Sequence, residues 1–344
     1  MEVDQRERRI QTACLLILSA IAIAAALVWL RPIMIPFVLA VFFAFGLAPL
    51  IDFQIRLMRV PRPLAVLATL VFGVIMLGLL AGLVSTSVAE LAANAEVYQT
   101  QIKRLLDEAA AALPLQRFGL QIETAIDSLT ERMLQTVGLL LVGTTNAILG
   151  LLSQSLLVLV FLIFLLVGGT ARSTPSGGIL GEVEIRIQRY LMTKAIVSAA
   201  TGVLVGGILS ILGIDLALVF GLFAFLLNFI PSVGSTVSTL LPLPIVLVSP
   251  DISGTTAVLA IVIPGTIQFL IGSVIEPKIM GGSLDLHPVA ILLSLILWGM
   301  IWGIVGMLLA TPITSVMKIL LEKMEVTAPV AELLAGRLDA LRSD

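Results

Sequence analysis

The chain has too little charge to live in water. Only 12% of its 344 residues are charged and 59% are hydrophobic, whereas soluble domains carry about 25% charged residues. Mean hydropathy is +1.13. That balance excludes a soluble enzyme. Histidine and cysteine occur once each, so neither a Cys/His metal cluster nor an intramolecular disulfide can form. Cys14 lies in an apolar run and reads as a small hydrophobe. Twenty Lys and Arg against 22 Asp and Glu leave a formal net charge of -2, which provides no basic face for nucleic acid. A Walker-type lysine loop and a glycine-rich dinucleotide fingerprint are both missing, so no cofactor is expected.

What the chain has instead is apolar runs. A bilayer core of about 30 Å takes about 20 apolar residues as a helix. Residues 14–30, 33–51, 64–87, 144–167, 193–213 and 255–275 read as spans, the first two joined by a tight turn at Arg31 and Pro32. The first run passes straight into the second without a polar mature segment, so it is not a cleaved signal peptide. Residues 214–248 and 287–321 are too long for one simple straight span; each would reach about 50 Å. The former carries Asn228, Pro231, Gly234, Pro242 and Pro244, which predicts a break near Pro231; the latter carries Gly299, Gly303, Gly306 and Pro312. Each is either a long kinked helix or a re-entrant hairpin. The expected fold is all-α, a polytopic membrane protein of about eight transmembrane helices with broken or re-entrant helices in its carboxyl half.

Basic residues orient it. Arg6, Arg8 and Arg9, then Arg56, Arg59 and Arg62, then Arg172, Arg186, Arg189 and Lys194, and finally Lys318, Lys323, Arg337 and Arg342 fall on one side if the amino terminus is cytoplasmic, as short basic inner loops require. Both termini are then cytoplasmic. The expected organisation is a cytoplasmic segment at 1–13, three spans within 14–87, an extracytoplasmic helical hairpin at 88–143, a transport region at 144–321 and an amphipathic cytoplasmic helix at 322–344. The 88–143 interval alone has soluble composition, with a heptad seam through Leu91, Ala95, Tyr98, Ile102, Leu105, Ala109 and Ala112. That stripe packs either on its own partner helix or on copies of itself. In the tail, Thr327 is expected to cap a short helix with Pro329 in its first turn, lying on the cytoplasmic surface or a neighbouring subunit.

Few residues offer chemistry. Between Lys194 and Lys318 the ionisable groups are Asp215, Asp251, Glu276, Lys278, Asp285 and His287, all near predicted span ends, so no carboxylate relay is evident. Asp215 and Asp251 read as turn residues. Glu276 and Lys278 flank Pro277, and either pair locally or gate a vestibule. His287, with Asp285 before it and Pro288 after it, reads as a helix start rather than a catalytic base. The break at Pro231 is different: freed backbone groups in a membrane must face protein or water, and broken helices often hold solute. Asn228, Ser232, Ser235, Thr236 and Ser238 suit a small hydroxylated or neutral polar molecule, unless they merely repair a proline kink. The pairs Gly78/Gly82, Gly202/Gly206 and Gly299/Gly303 read as close helix packing.

Three stretches, NFIPSVGS from Asn228, IEPKIMGGSLDLHP from Ile275 and WGIVGMLLATP from Trp302, resemble the AI-2E (autoinducer-2 exporter) family, also called PerM-like permeases. The resemblance implies a multi-pass inner-membrane carrier, with autoinducer-2 export or sodium/proton exchange as the activity and homo-oligomers, pentamers among them, as the assembly. By similarity Asn228, Pro231 and Gly234 match one family signature and Glu276, Pro277, Lys278, His287 and Pro288 a second. Ser232 stands where an aromatic residue is common and Ser235 where proline is, which makes this break more polar. The expected partners are therefore a small polar solute or a cation, together with the lipid bilayer. A membrane-anchored scaffold recruiting partners through its outer hairpin is the competing reading from another class.

Overall fold

The computed structural model describes residues 2–93, 97, 100–101, 104, 155–168, 178–231, 233–249, 252–280, 285–323 and 327–337. Among the described residues the chain is helical, with no strand. Helix α1 (Glu2–Trp29) is separated from α2 (Arg31–Met58) by Leu30 alone. Helical bonding continues on both sides of it, from the Leu30 amide to the Ala26 carbonyl and from the Met34 amide to the Leu30 carbonyl, so only an interruption, and not a reversal, is seen where a tight turn is expected. Helix α3 is Arg62–Ala93, α4 is Ser155–Val167 and α5 is Ile179–Ile211. Most of the predicted outer hairpin, the beginning of the fourth predicted span, Ser232 and Asp251 lie outside the described residues.

The two overlong apolar stretches resolve differently. Residues 214–248 become three short helices, α6 (Ala217–Leu227), α7 (Val233–Leu240) and α8 (Leu243–Val248). At about 1.5 Å per residue, α6 reaches about 16 Å and α7 about 12 Å, neither enough for a hydrocarbon core. Helix α9 (Gly254–Leu270) continues through a π-helical turn (Ile271–Ile275) into α10 (Glu276–Met280). Then comes α11 (Pro288–Glu322), which is not one rod, because Gly303 has φ 66° and ψ -142°. Trp298 Nε1 donates to Thr314 Oγ1 at 3.2 Å across 16 residues, a separation of about 24 Å on a straight helix. The chain therefore doubles back at Gly303. That backbone region is essentially restricted to glycine, so Gly303 is a reversal point and not the packing residue expected. The short helix α12 (Ala328–Ala335) closes the described chain.

By length and composition, five helices among the described residues could cross a membrane: α2, α3, Gly181–Ile211 of α5, Gly254–Ile279 and Pro288–Glu322. Their polarity is inverted relative to a soluble protein. Leu64, Leu67, Phe72, Leu79, Val203 and Phe269 are exposed, whereas Thr69, Ser198, Thr201, Ser238, Gln268 and Ser315 are buried. Lipid solvates large apolar side chains as well as a core does, so small and polar residues take the interior. In α2 the buried ridge is Ala40, Ala44 and Ala48.

Two compact units result, both discontinuous in sequence. The first comprises Met1–Phe53, Ser155–Leu191 and Gly282–Asp344, and the second Gln54–Gln154 and Met192–Gly281. In the first, Phe42 of α2, Ile187 of α5 and Leu309 of α11 share a core, and Trp302 Nε1 donates to the Leu27 carbonyl of α1. In the second, Val205 and Leu209 of α5 pack with Phe220 and Ala224 of α6, Val246 of α8 and Ala260 of α9. A Cβ on Gly202 would come within 2.8 Å of the Gly221 carbonyl, so the pair Gly202/Gly206 does serve close helix packing. Around Gly78 and Gly82 a Cβ would meet nothing within 4 Å, and the packing expected of them is not found within this chain.

The tail helix docks on the first unit. The His287 amide donates to the Leu334 carbonyl at 2.8 Å, Ala331 is buried, and Val330 and Leu333 stay exposed. Thr327 does not cap α12 with its side chain; its hydroxyl donates to the Leu321 carbonyl instead. Asp285 accepts from Lys318 Nζ at 2.6 Å and from Arg337 at 2.8 Å. Partial burial alone would raise the Asp285 carboxyl, but the Lys318 hydrogen bond and charge, reinforced by Arg337, outweigh it and hold the group below its ordinary value.

Two outcomes follow. Gly303→Ala should destabilise the fold by about 1–3 kcal/mol, the cost of forcing a Cβ into that conformation, read as a lower Tm in detergent. A depressed folded pKa means that the Asp285 interactions stabilise the fold above the unfolded carboxylate pKa of about 3.9 and are lost as pH falls through the lower folded value. Asp285→Asn should therefore be less stable than wild type at neutral pH, with the gap in thermal unfolding closing as acid is added.

Candidate functional site

The second unit contains a cleft of about 460 Å³. It is built where the chain cannot stay regular. Pro231 has no N–H to return to the Leu227 carbonyl, so α6 ends; the Ile230 amide takes that carbonyl instead, at 2.8 Å. The chain returns so closely that a Cβ at Gly234 would strike the Leu227 carbonyl, and glycine is required there. On the other wall Pro277 offers no N–H to Ser273. The helix widens into its π turn just before, with the Glu276 amide bonding the Ile271 carbonyl. Such π turns recur at functional sites because they free backbone and re-aim side chains.

Four side chains define the polar wall. Asn228 ends α6, is 5% exposed, and donates from Nδ2 to Ser198 Oγ of α5 at 3.0 Å. Lys194 of α5 is 2% exposed and pairs with Glu276. Gln268 of α9 donates from Nε2 to Ser238 Oγ of α7 at 2.5 Å. Ser235, Thr239 and Ser273 add hydroxyls to the lining. Helices α7 and α9 approach closely because Gly265 has no side chain; a Cβ there would sit 3.3 Å from Thr239 Cγ2.

Of the residues singled out from sequence, Asn228, Pro231, Ser235 and Glu276 come together on this cleft. Gly234 shapes the break from behind the lining. Pro277 and Lys278 follow Glu276 in α10 without lining the cleft. His287 and Pro288 belong to the other unit, where His287 Nδ1 accepts from the Val289 amide at 3.3 Å and caps α11. Two expectations are corrected. Glu276 pairs not with Lys278 but with Lys194, 82 residues earlier, because that cation is sealed in the interior and needs a counter-ion. For the same reason Lys194 is not a solvated residue of an inner loop. Gln268 and Lys194 as lining residues were missed: a lone glutamine in an apolar run is the one signal that pointed to Gln268. Among the described residues no cluster suited to a metal ion occurs.

Residues 16–325 match the family described as AI-2E family transporter. The "AI-2 transport protein TqsA" of Escherichia coli K12 is 32% identical, over 88% of this chain and 89% of that protein. The "Putative transport protein YhhT" of the same organism is 29% identical over 97% of each.

Removing one member of a buried ion pair leaves the other without a counter-charge, at a cost of about 3 kcal/mol or more. Lys194→Met should therefore lower stability sharply, and Lys194→Met combined with Glu276→Gln should recover most of the loss, read as a double-mutant cycle of thermal unfolding.

Proposed function

Because this chain belongs to the AI-2E transporter family, a family of membrane transport proteins and not enzymes, we propose that it carries a small polar solute out of the cell through a route that includes the cleft at the Pro231 break. The observation that carries the reading is that interrupted backbone, buried amide groups and an ion pair converge on one cavity in an otherwise apolar chain. Such groups are kept away from lipid, facing protein or a water-filled cavity, and here they border a cleft. In this reading Asn228, Pro231, Ser235 and Glu276 belong to the solute path. An autoinducer-2-like signalling molecule is the proposed cargo, by analogy with the relative named as an AI-2 transport protein.

The accompanying topology is about eight membrane segments, of which six cross and two, the α6–α7 break and the α11 reversal, are re-entrant hairpins. Both termini are cytoplasmic in a bacterial inner membrane, and the assembly is a homo-oligomer. A second reading, cation/proton exchange, draws on Lys194 and Glu276, since a titratable pair inside a membrane protein is a natural proton carrier. It requires that adding sodium to vesicles discharge a pH gradient and that Glu276→Gln abolish the discharge.

Flux of labelled autoinducer-2 across vesicles holding the full chain tests the first reading. Asn228→Ala and Pro231→Ala should each cut flux by about tenfold, the equivalent of one lost polar interaction, while assembly in detergent is unchanged. Wild-type flux in both variants would remove the cleft from the path.

A further inference from the structure

We propose that the turn between α2 and α3 is a docking site for an anionic phospholipid, whose headgroup phosphate is held by Arg56 and Arg59 and whose acyl chains lie along the start of α3. This site is independent of the solute route. Both helices are long and apolar enough to span a membrane, and the second span, Arg62–Ser87, has 26 residues. At about 1.5 Å per residue it reaches about 39 Å, longer than a hydrocarbon core of about 30 Å. The turn therefore lies at the depth of the lipid phosphates. Its shape is fixed from both sides: Gln54 Nε2 of α2 donates to Thr69 Oγ1 of α3 at 3.1 Å, and the rings of Pro61 and Pro63 lock two φ angles where α3 begins.

Three cations fall within seven residues here, Arg56, Arg59 and Arg62. Arg62 is already partnered. Arg56 and Arg59 are exposed and, among the described residues, make no hydrogen bond or ion pair. Topology accounts for basic residues in a short loop, but not for the conformation of one of them. Arg59 has φ 51°, the left-handed region that glycine or asparagine usually fills just past a helix end. A bulky residue held there at a cost to its backbone is kept for what its side chain binds. The surroundings select the anion. Leu57, Met58, Leu64 and Leu67 are each more than half exposed, and a free phosphate gains nothing from such neighbours, whereas a phospholipid brings phosphate and acyl chains together. Guanidinium groups match phosphate oxygens bidentately. A zwitterionic headgroup would bring its own ammonium against two arginines, so the favoured lipid carries net negative charge.

The test titrates dioleoylphosphatidylglycerol and dioleoylphosphatidylcholine, which share their acyl chains, into the delipidated full chain in detergent and reads apparent affinity from the rise in Tm. Wild type should bind the anionic lipid about 30-fold more tightly, the factor that two interfacial arginines supply. Arg56→Gln combined with Arg59→Gln should bind both lipids alike. Arg31→Gln, the same loss of charge at the other end of α2, should keep the wild-type preference; an equal loss there would mean that only overall charge is sensed, and would overturn the proposal. Glycerol 1-phosphate should leave Tm unchanged, and a response matching that of the lipid would point to a free anion and overturn it too. Arg59→Gly separates binding from folding. Without lipid it should raise Tm by about 2 °C, because glycine adopts this φ without strain, yet its preference for the anionic lipid should drop about fivefold. A fall in Tm would instead make Arg59 a structural residue and overturn the proposal. So would the absence of any preference in wild type, or a preference preserved in the double variant. Should the double variant fail to assemble, the lipid ratio of Arg59→Gly decides, and an unchanged ratio sinks the site.

Discussion

A peptide group surrounded by hydrocarbon has no water to bond, so wherever a membrane helix is interrupted, the freed N–H and C=O groups must find partners within the chain. Among the described residues such interruptions include Asn228–Pro231, the π turn before Pro277 and Gly303, and the first two are visibly arranged around that demand. The Leu227 carbonyl is met by the Ile230 amide, the Ser235 carbonyl by the Ser238 and Thr239 hydroxyls, and the Ile271 carbonyl by the Glu276 amide. Small and hydroxylated residues are drawn inward as a result, and bulky apolar ones turn outward.

The same demand explains why two interruptions share a cleft. Polar side chains that would destabilise a lipid-facing surface are tolerated beside one another, where each can satisfy the next. Asn228 reaches Ser198 and Gln268 reaches Ser238, so α5 is tied to the end of α6, and α7 to α9, by side-chain amides as well as by apolar packing. Among the described residues each compact unit also holds a deeply buried lysine: Lys194 with Glu276 in the second, Lys318 with Asp285 in the first. A buried ammonium without a carboxylate is so unfavourable that these pairs discriminate strongly against alternative arrangements of the helices that carry them. In the first unit the pair also recruits Arg337 and so ties down the tail helix.

Much of this was legible in the residues. The break at Pro231 and the helix start at His287 and Pro288 follow from local rules, because proline and its neighbours constrain the backbone wherever they occur. Glu276 is instructive: a local pair with Lys278 is one of two readings the residues allow, and the structure removes that one. Its nearest cation in sequence is Lys278, two residues away, and residues so spaced on a helix do not face each other. The pair Gly299/Gly303 splits: a Cβ on Gly299 would come within 2.9 Å of Met307, so that glycine does serve close packing, whereas Gly303 takes a positive φ and reverses the chain, and composition does not distinguish the two roles.

Composition and periodicity alone determined that the chain is an all-α membrane protein, that its long apolar stretches cannot be simple rods, and that one break falls near Pro231. These are properties of length, hydrophobicity and backbone stereochemistry, each acting within a few turns. Only the tertiary structure decided that Lys194 meets Glu276 across 82 residues, that α11 folds back far enough for Trp298 to reach Thr314, and that Gln268 joins Asn228 on the lining of one cleft. Such facts depend on which surfaces are buried together, and the energy of a buried polar group depends on what lies a few ångströms away in space rather than along the chain.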